Sequence, residues 1–236
     1  MADEAIIVGE AWLSEHYFTT DAKSQSFQSR VLQRRKQWDD EDAEATLSVR
    51  ARFTTARAQL ETRMAGLEAG STDPTVVTDL YAPLREILGY GGGGLHLTCE
   101  GGLQRVSLPG IAEGSPLALI DARPVDALED LLQKDAPTLL TPHDVDENPK
   151  NSIQSVARLL SALFIEDEGP LFALVFAGHW MLVAERERWP EGRYLAIDMQ
   201  LVADRNDTKR GGQTDRALTC LSAESLAPNA EGDVWW

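Results

Sequence analysis

The chain has 236 residues, of which 43% are apolar and 25% charged, and it carries a net charge of −16. That much apolar material supports a packed core and excludes a disordered chain. The acidic balance excludes a protein that grips naked nucleic acid over most of its surface, because displacing counterions needs a positive face.

The charge is spread unevenly. Residues 1–63 hold 9 basic and 11 acidic side chains, residues 64–150 hold 5 and 14, and residues 151–236 hold 8 and 13. The locally basic stretch is Arg30, Arg34, Arg35 and Lys36. Direct DNA contact is expected only there, or through basic surface supplied by another domain, and a protein partner is expected before a nucleic acid. The longest apolar stretch, Leu171 to Ala177, is far too short to span a bilayer. The acidic opening MADEAIIVGEAW lacks the basic start of a signal peptide. Cys99 and Cys220 have no paired spacing, so neither a disulfide framework nor a zinc site is expected, and both read as small buried hydrophobes. The cytoplasm is the expected location, with no membrane partner.

Residues 25–38 place Phe27, Val31, Leu32 and Trp38 at helical spacing. After the polar break DDEDAE at 39–44, residues 48–68 repeat the pattern with Val49, Phe53, Ala56, Leu60, Met64 and Leu67. Steps of four and three predict an amphipathic helix. The two stretches give a helical hairpin within an N-terminal extension over residues 1–72, its stripes burying each other. Asp73-Pro74 starts the next helix. Its apolar face is Val76, Val77, Leu80, Tyr81, Leu84, Ile87 and Leu88, with Pro83 expected to kink or divide it. Gly91 to Gly94 follow a helix and lack a GK[ST] sequence, so no nucleotide loop is expected.

Strands come next. Leu95, Leu97 and Cys99 alternate, and Leu103 to Leu108 follow the Gly101-Gly102 turn as the second arm of a hairpin. LALIDA at 117–122 reads as a buried central strand. Residues 125–134 predict a helix, 135–150 a loop, and SIQSVARLLSALF a further helix. The runs 171–177 and 180–185 flank Gly178-His179 as a hairpin. Residues 193–204 read as one more strand and 205–215 as a polar loop. Trp235 and Trp236 suggest a domain edge within a longer chain, or a docking anchor. The expected fold class is α/β (α+β): a mixed β-sheet flanked by helices, with the helical extension at 1–72 and an α/β domain at 73–236.

Few residues are arranged for chemistry. His16, His96, His143 and His179 make no metal spacing. The cluster His143, Asp144, Asp146 and Glu147 lacks the order of a calcium loop, and no G-x-S-x-G is present. The segment LHLTCEGGLQRVSLPG…SPLALIDARP has a helix before it, then a hairpin, then a buried strand ending in acid-x-base. This order resembles PD-(D/E)xK nucleases, whose carboxylates hold Mg²⁺ and whose lysine helps activate water.

The resemblance puts Asp121-Ala122-Arg123 at the acid-x-lysine position, Glu100 as the flanking acid and Glu86 as a helix acid. Glu100 and Asp121 would hold Mg²⁺ in an active enzyme. Two departures stand against activity. Arginine does not give up its proton as lysine does, and Leu103 to Gly110 contain no carboxylate. A vestigial site is expected; the competing local reading is a surface salt bridge between Asp121 and Arg123.

Longer phrases carry a wider likeness: EAWLSEHYFTTDAKSQSFQSRVLQRRKQWDDE, VVTDLYAPLREILGY, PLALIDARPVDALEDLL, FALVFAGHWMLVAERERWPEGRYLAIDMQLVADR and RALTCLSAESLAP. They resemble the N-terminal region of large bacterial adenine DNA methyltransferases of the restriction-modification, type IIG-like and phage-defence kind. The resemblance implies a domain ahead of a methyltransferase that binds S-adenosylmethionine and acts through an Asn-Pro-Pro-Tyr/Phe motif on a flipped adenine. Neither feature is here, since Asn148-Pro149 continues as Lys-Asn.

The leading expectation is a non-catalytic regulatory or scaffolding domain of a DNA-modifying defence protein. It would need no cofactor of its own, and its partners would be the rest of a methyltransferase or other defence proteins. The alternatives are an active Mg²⁺-dependent endonuclease domain, and a stand-alone acidic binding module or DNA mimic.

Overall fold

The computed structural model describes residues 4–9, 26–91, 96–100, 103–107, 117–144, 152–167 and 169–227, with 96–100 and 103–107 as backbone only. Trp235, Trp236, the Gly101-Gly102 turn, Asp146, Glu147 and His16 lie outside them.

Helices α1 (Phe27–Ala43) and α2 (Val49–Ala65) both begin on a serine. Ser26 Oγ accepts from Ser29 N at 3.2 Å and Ser48 Oγ from Ala51 N at 3.1 Å, satisfying donors that a helix start leaves open. A π turn over Val77–Tyr81 then runs directly into α3 (Ala82–Leu88). Pro83 is the second residue of α3 and has no N–H to give to the turn before it, and the wider π turn stands immediately ahead of it. The interruption expected at Pro83 thus takes the form of a change in pitch.

Among the described residues, seven strands form one sheet: β1 (Ile6–Gly9), β2 (His96–Glu100), β3 (Leu103–Ser107), β4 (Leu117–Asp121), β7 (Phe172–Ala177), β8 (Trp180–Glu185) and β9 (Tyr194–Asp198). Their order is β1-β9-β8-β7-β4-β3-β2. The β4–β7 pair is parallel and the others are antiparallel, so the sheet is mixed as expected. The crossover from β4 to β7 carries α4 (Leu128–Leu131), the two-residue strands β5 (His143–Asp144) and β6 (Ser152–Ile153), and α5 (Val156–Leu163). After β9 come α6 (Met199–Arg205), α7 (Gln213–Leu221) and α8 (Ala223–Leu226).

Alternation along the strands makes two cores. Leu117, Leu119, Phe172, Leu174, Phe176, Met181, Val183, Leu195 and Ile197 pack with α1, α2, α3, α6, α7 and α8. Ala118, Ile120, Ala173, Val175, Leu182 and Ala196 pack with α4 and α5. With both faces covered, the central strands are apolar throughout, which is why they read as continuous runs. Residues on both sides of position 72 belong to the first core: Val31, Trp38, Phe53 and Leu60 from the hairpin, Leu84 and Leu174 from beyond it.

Four sequence expectations change. The strand expected over 193–204 stops at Asp198, whose carboxylate accepts from Leu201 N at 3.0 Å and starts α6. The helix expected over 125–134 is the single turn Leu128–Leu131. The helix expected from Ser152 begins at Val156, because Ser152 and Ile153 pair with β5. The loop 205–215 ends early, with α7 starting at Gln213. In addition, β1 was not anticipated.

The basic stretch of α1 is partly spent inside the fold. Arg35 and Arg50 reach the fully buried Asp215 at 3.1 and 2.9 Å, and Gly211 N donates to the same carboxylate at 2.8 Å. Arg34 pairs with Glu224 at 3.3 Å. Among the described residues, no helix is long and apolar enough to cross a membrane.

Candidate functional site

Asp121 ends β4 on the face that carries Leu117 and Leu119, and it is 7% exposed. Arg85, 6% exposed, meets it from α3, and Tyr81 lies one helical turn before Arg85. Arg85 Nη2 donates to Asp121 Oδ1. The guanidinium also stands 4.9 Å from the centre of the Phe176 ring, an arrangement in which a cation is attracted to the ring face. Its Nε is buried with no hydrogen-bond partner among the described residues. Tyr81 completes the group. Its hydroxyl donates to Ala122 O at 2.7 Å and accepts from Gly178 N at 2.7 Å, while its ring lies 5.7 Å from that of Phe176.

Burial pushes the Asp121 carboxyl above its ordinary range, against the pull of the Arg85 charge and hydrogen bond. Burial also pushes the Tyr81 phenol well up, and only the Gly178 N–H and the Arg85 charge oppose it. A charged pair removed from water in this way needs each partner to be retained, because either one alone would be an uncompensated buried charge.

The residues singled out from the sequence are dispersed. Glu86 is exposed, on a different side of α3 from buried Arg85. Glu100 ends β2 and stands in register with Leu103 and, through it, with Ile120, one residue out of step with Asp121. Arg123 is turned to the 138–139 segment: its N–H donates to Thr138 O at 2.8 Å and its Nε to Leu139 O at 3.1 Å. The surface salt bridge between Asp121 and Arg123 is therefore replaced by a buried one between Asp121 and Arg85. The reason is local. The strand ends at Asp121, and Ala122 bridges to Leu139, which carries the following residue away. His143 lies in β5 within a two-stranded pair apart from the main sheet.

The described side chains do not fit Mg²⁺ at this position. A divalent ion needs several oxygen ligands, whereas Asp121 meets a fixed guanidinium at hydrogen-bond range. No group of three or more His, Cys, Asp or Glu side chains converges among the described residues.

Arg85 and Tyr81 were not singled out from the sequence as site residues. The available signal was their i, i+4 spacing on the stripe that also holds Leu84 and Leu88, which brings an arginine to the buried side. No family model, curated protein or solved structure matches the chain. The functional reading therefore rests on the residues themselves.

Proposed function

We propose that this chain is a non-catalytic, nuclease-like scaffolding domain of a DNA-modifying protein of the restriction-modification or phage-defence kind. The observation that carries the reading is the buried Arg85–Asp121 pair. Where a PD-(D/E)xK enzyme would present an ionised acid to Mg²⁺, this chain presents an acid already neutralised by its own arginine.

The order of elements supports the nuclease-like part. Helix α3 ends at Gly89, the β2–β3 hairpin follows, and the buried strand β4 ends on Asp121. The methylating chemistry and S-adenosylmethionine belong to a separate catalytic part. The partner of this domain is that part, or another defence protein.

A plasmid-nicking assay with Mg²⁺ and with Mn²⁺, using the chain and its Asp121→Ala variant, tests the reading. No cleavage by either protein is expected. Metal-dependent cleavage by the native chain that disappears in Asp121→Ala would make this an active nuclease and overturn the proposal.

A further inference from the structure

A cleft of about 620 Å³ opens on the α4/α5 face of the sheet, opposite the face that holds Asp121. Its walls are the aromatic rings of Trp189, Tyr194 and Phe164, and Ala157 contributes a small side chain to the lining. The volume lies within the range of ligand sites, which combine apolar walls with a few placed polar groups.

The walls are held in place before any ligand arrives. Trp189 Nε1 donates to Ser161 Oγ at 3.1 Å, and that hydroxyl donates to Ala157 O at 2.9 Å, which fixes the indole. The Trp189–Glu191 turn closes on Gly192, whose φ of 73° is a left-handed value. The Tyr194 ring lies across Gly9 of β1, where even a Cβ would come within 2.5 Å of it. Ile165, also on the lining, is 80% exposed, an apolar surface that folding leaves uncovered.

One cation completes the chemistry. Lys134 lines the cleft, is exposed, and forms no ion pair among the described residues. It also lines a neighbouring hollow that holds Arg158, itself paired with Asp135. Aromatic walls favour a flat ring through stacking, and a lysine beside them favours an anionic substituent on that ring.

We propose that this cleft binds a nucleobase carrying a phosphate, either as a free mononucleotide or as an unpaired nucleotide of single-stranded DNA. The assignment needs nothing from the reading of Asp121, so the two can fail separately.

Isothermal titration calorimetry of the whole chain with dAMP, deoxyadenosine and an oligodeoxyadenylate tests it. Saturable dAMP binding is expected, weakened about fivefold in Lys134→Ala, the size of one exposed charge contact. Deoxyadenosine binding should be unchanged by that substitution. Tighter binding of the oligomer than of dAMP assigns the site to single-stranded DNA; the reverse order assigns it to the free nucleotide. Ala157→Leu, which fills the cleft, and Trp189→Ala, which removes a wall, should each abolish the heat while thermal melting shows a folded protein. No heat with any of the three ligands at millimolar concentration would overturn the proposal. So would binding that survives in whichever of the two cleft variants folds.

Discussion

The phenolic oxygen of Tyr81 lies 2.7 Å from the backbone nitrogen of Gly178, 97 positions further along the chain. The same oxygen donates to the carbonyl of Ala122, so one side chain satisfies two buried backbone groups, one just after β4 and one just after β7. Tyr81→Phe keeps the ring and strands both groups. The expected loss is about 1–3 kcal/mol, the cost of leaving a buried polar group unpaired. The urea midpoint reads it, and an unchanged midpoint would mean water replaces the hydroxyl.

The pair beside it should behave asymmetrically. Arg85→Ala leaves a buried Asp121 without its cation, and the expected cost is about 3–5 kcal/mol. Replacing both partners at once, Arg85→Met with Asp121→Leu, should restore most of that loss, because two desolvated charges are removed together. A double-mutant cycle by urea unfolding measures the coupling. Additive losses would show that the two side chains do not stabilise each other.

Asp215, on α7, holds α1 through Arg35, α2 through Arg50 and the loop before α7 through Gly211. Asp215→Ala leaves the Gly211 N–H unpaired and takes one partner from each arginine, while Arg35 keeps Asp39 at 2.8 Å and Arg50 keeps Thr208 O at 3.3 Å, so the expected cost is about 1–3 kcal/mol. Hydrogen exchange gives the sharper readout. Amides of α1 and α2 should lose protection along with α7, and a loss confined to α7 would show that the hairpin is held by its apolar contacts alone.

Alkaline pH should unfold the protein through its phenols. Tyr81 and Tyr90 are both buried, and burial pushes both pKa values upward. Tyr90 also donates to Leu221 O at 2.7 Å. A raised folded value means that the folded chain holds the proton more tightly than the unfolded chain does. The stability linked to these groups is therefore fully present below the ordinary phenol value of about 10. It falls as pH rises from there through the raised folded values. Urea midpoints measured from neutral to strongly alkaline pH should decline above that point, and a Tyr81→Phe, Tyr90→Phe double variant should decline less steeply.

The central sheet was legible because its chemistry is local. FALVFA and WMLVAE flank a two-residue turn, and Gly178 adopts a φ of 74° that suits glycine. A Cβ there would also come within 3.0 Å of Pro124, so the turn is constrained from outside as well. The switch at Asp198 was missed because LAIDMQLVA is apolar on both sides of it. The readable clue was an aspartate at the change of period, where a helix start favours one. The site was harder for a different reason. Mg²⁺ chemistry calls for carboxylates, and Arg85 beside Glu86 is not one. Spacing puts Arg85 on the stripe of Tyr81, Leu84 and Leu88, but that it meets Asp121 depends on how α3 leans on β4 and β7, a long-range fact that spacing does not carry.

The pairing of β1 with β9 has a consequence for how the chain is made. Ile6 faces Ile197 across the ladder, so the sheet cannot acquire this edge until nearly the whole described chain has emerged from the ribosome. At the usual pace of synthesis the delay is on the order of ten to forty seconds. Throughout it the segment IIVG carries apolar side chains and open backbone donors with no native neighbour. The newborn protein thus passes through an interval in which its first strand can be captured by a chaperone, or by the same strand of another nascent copy.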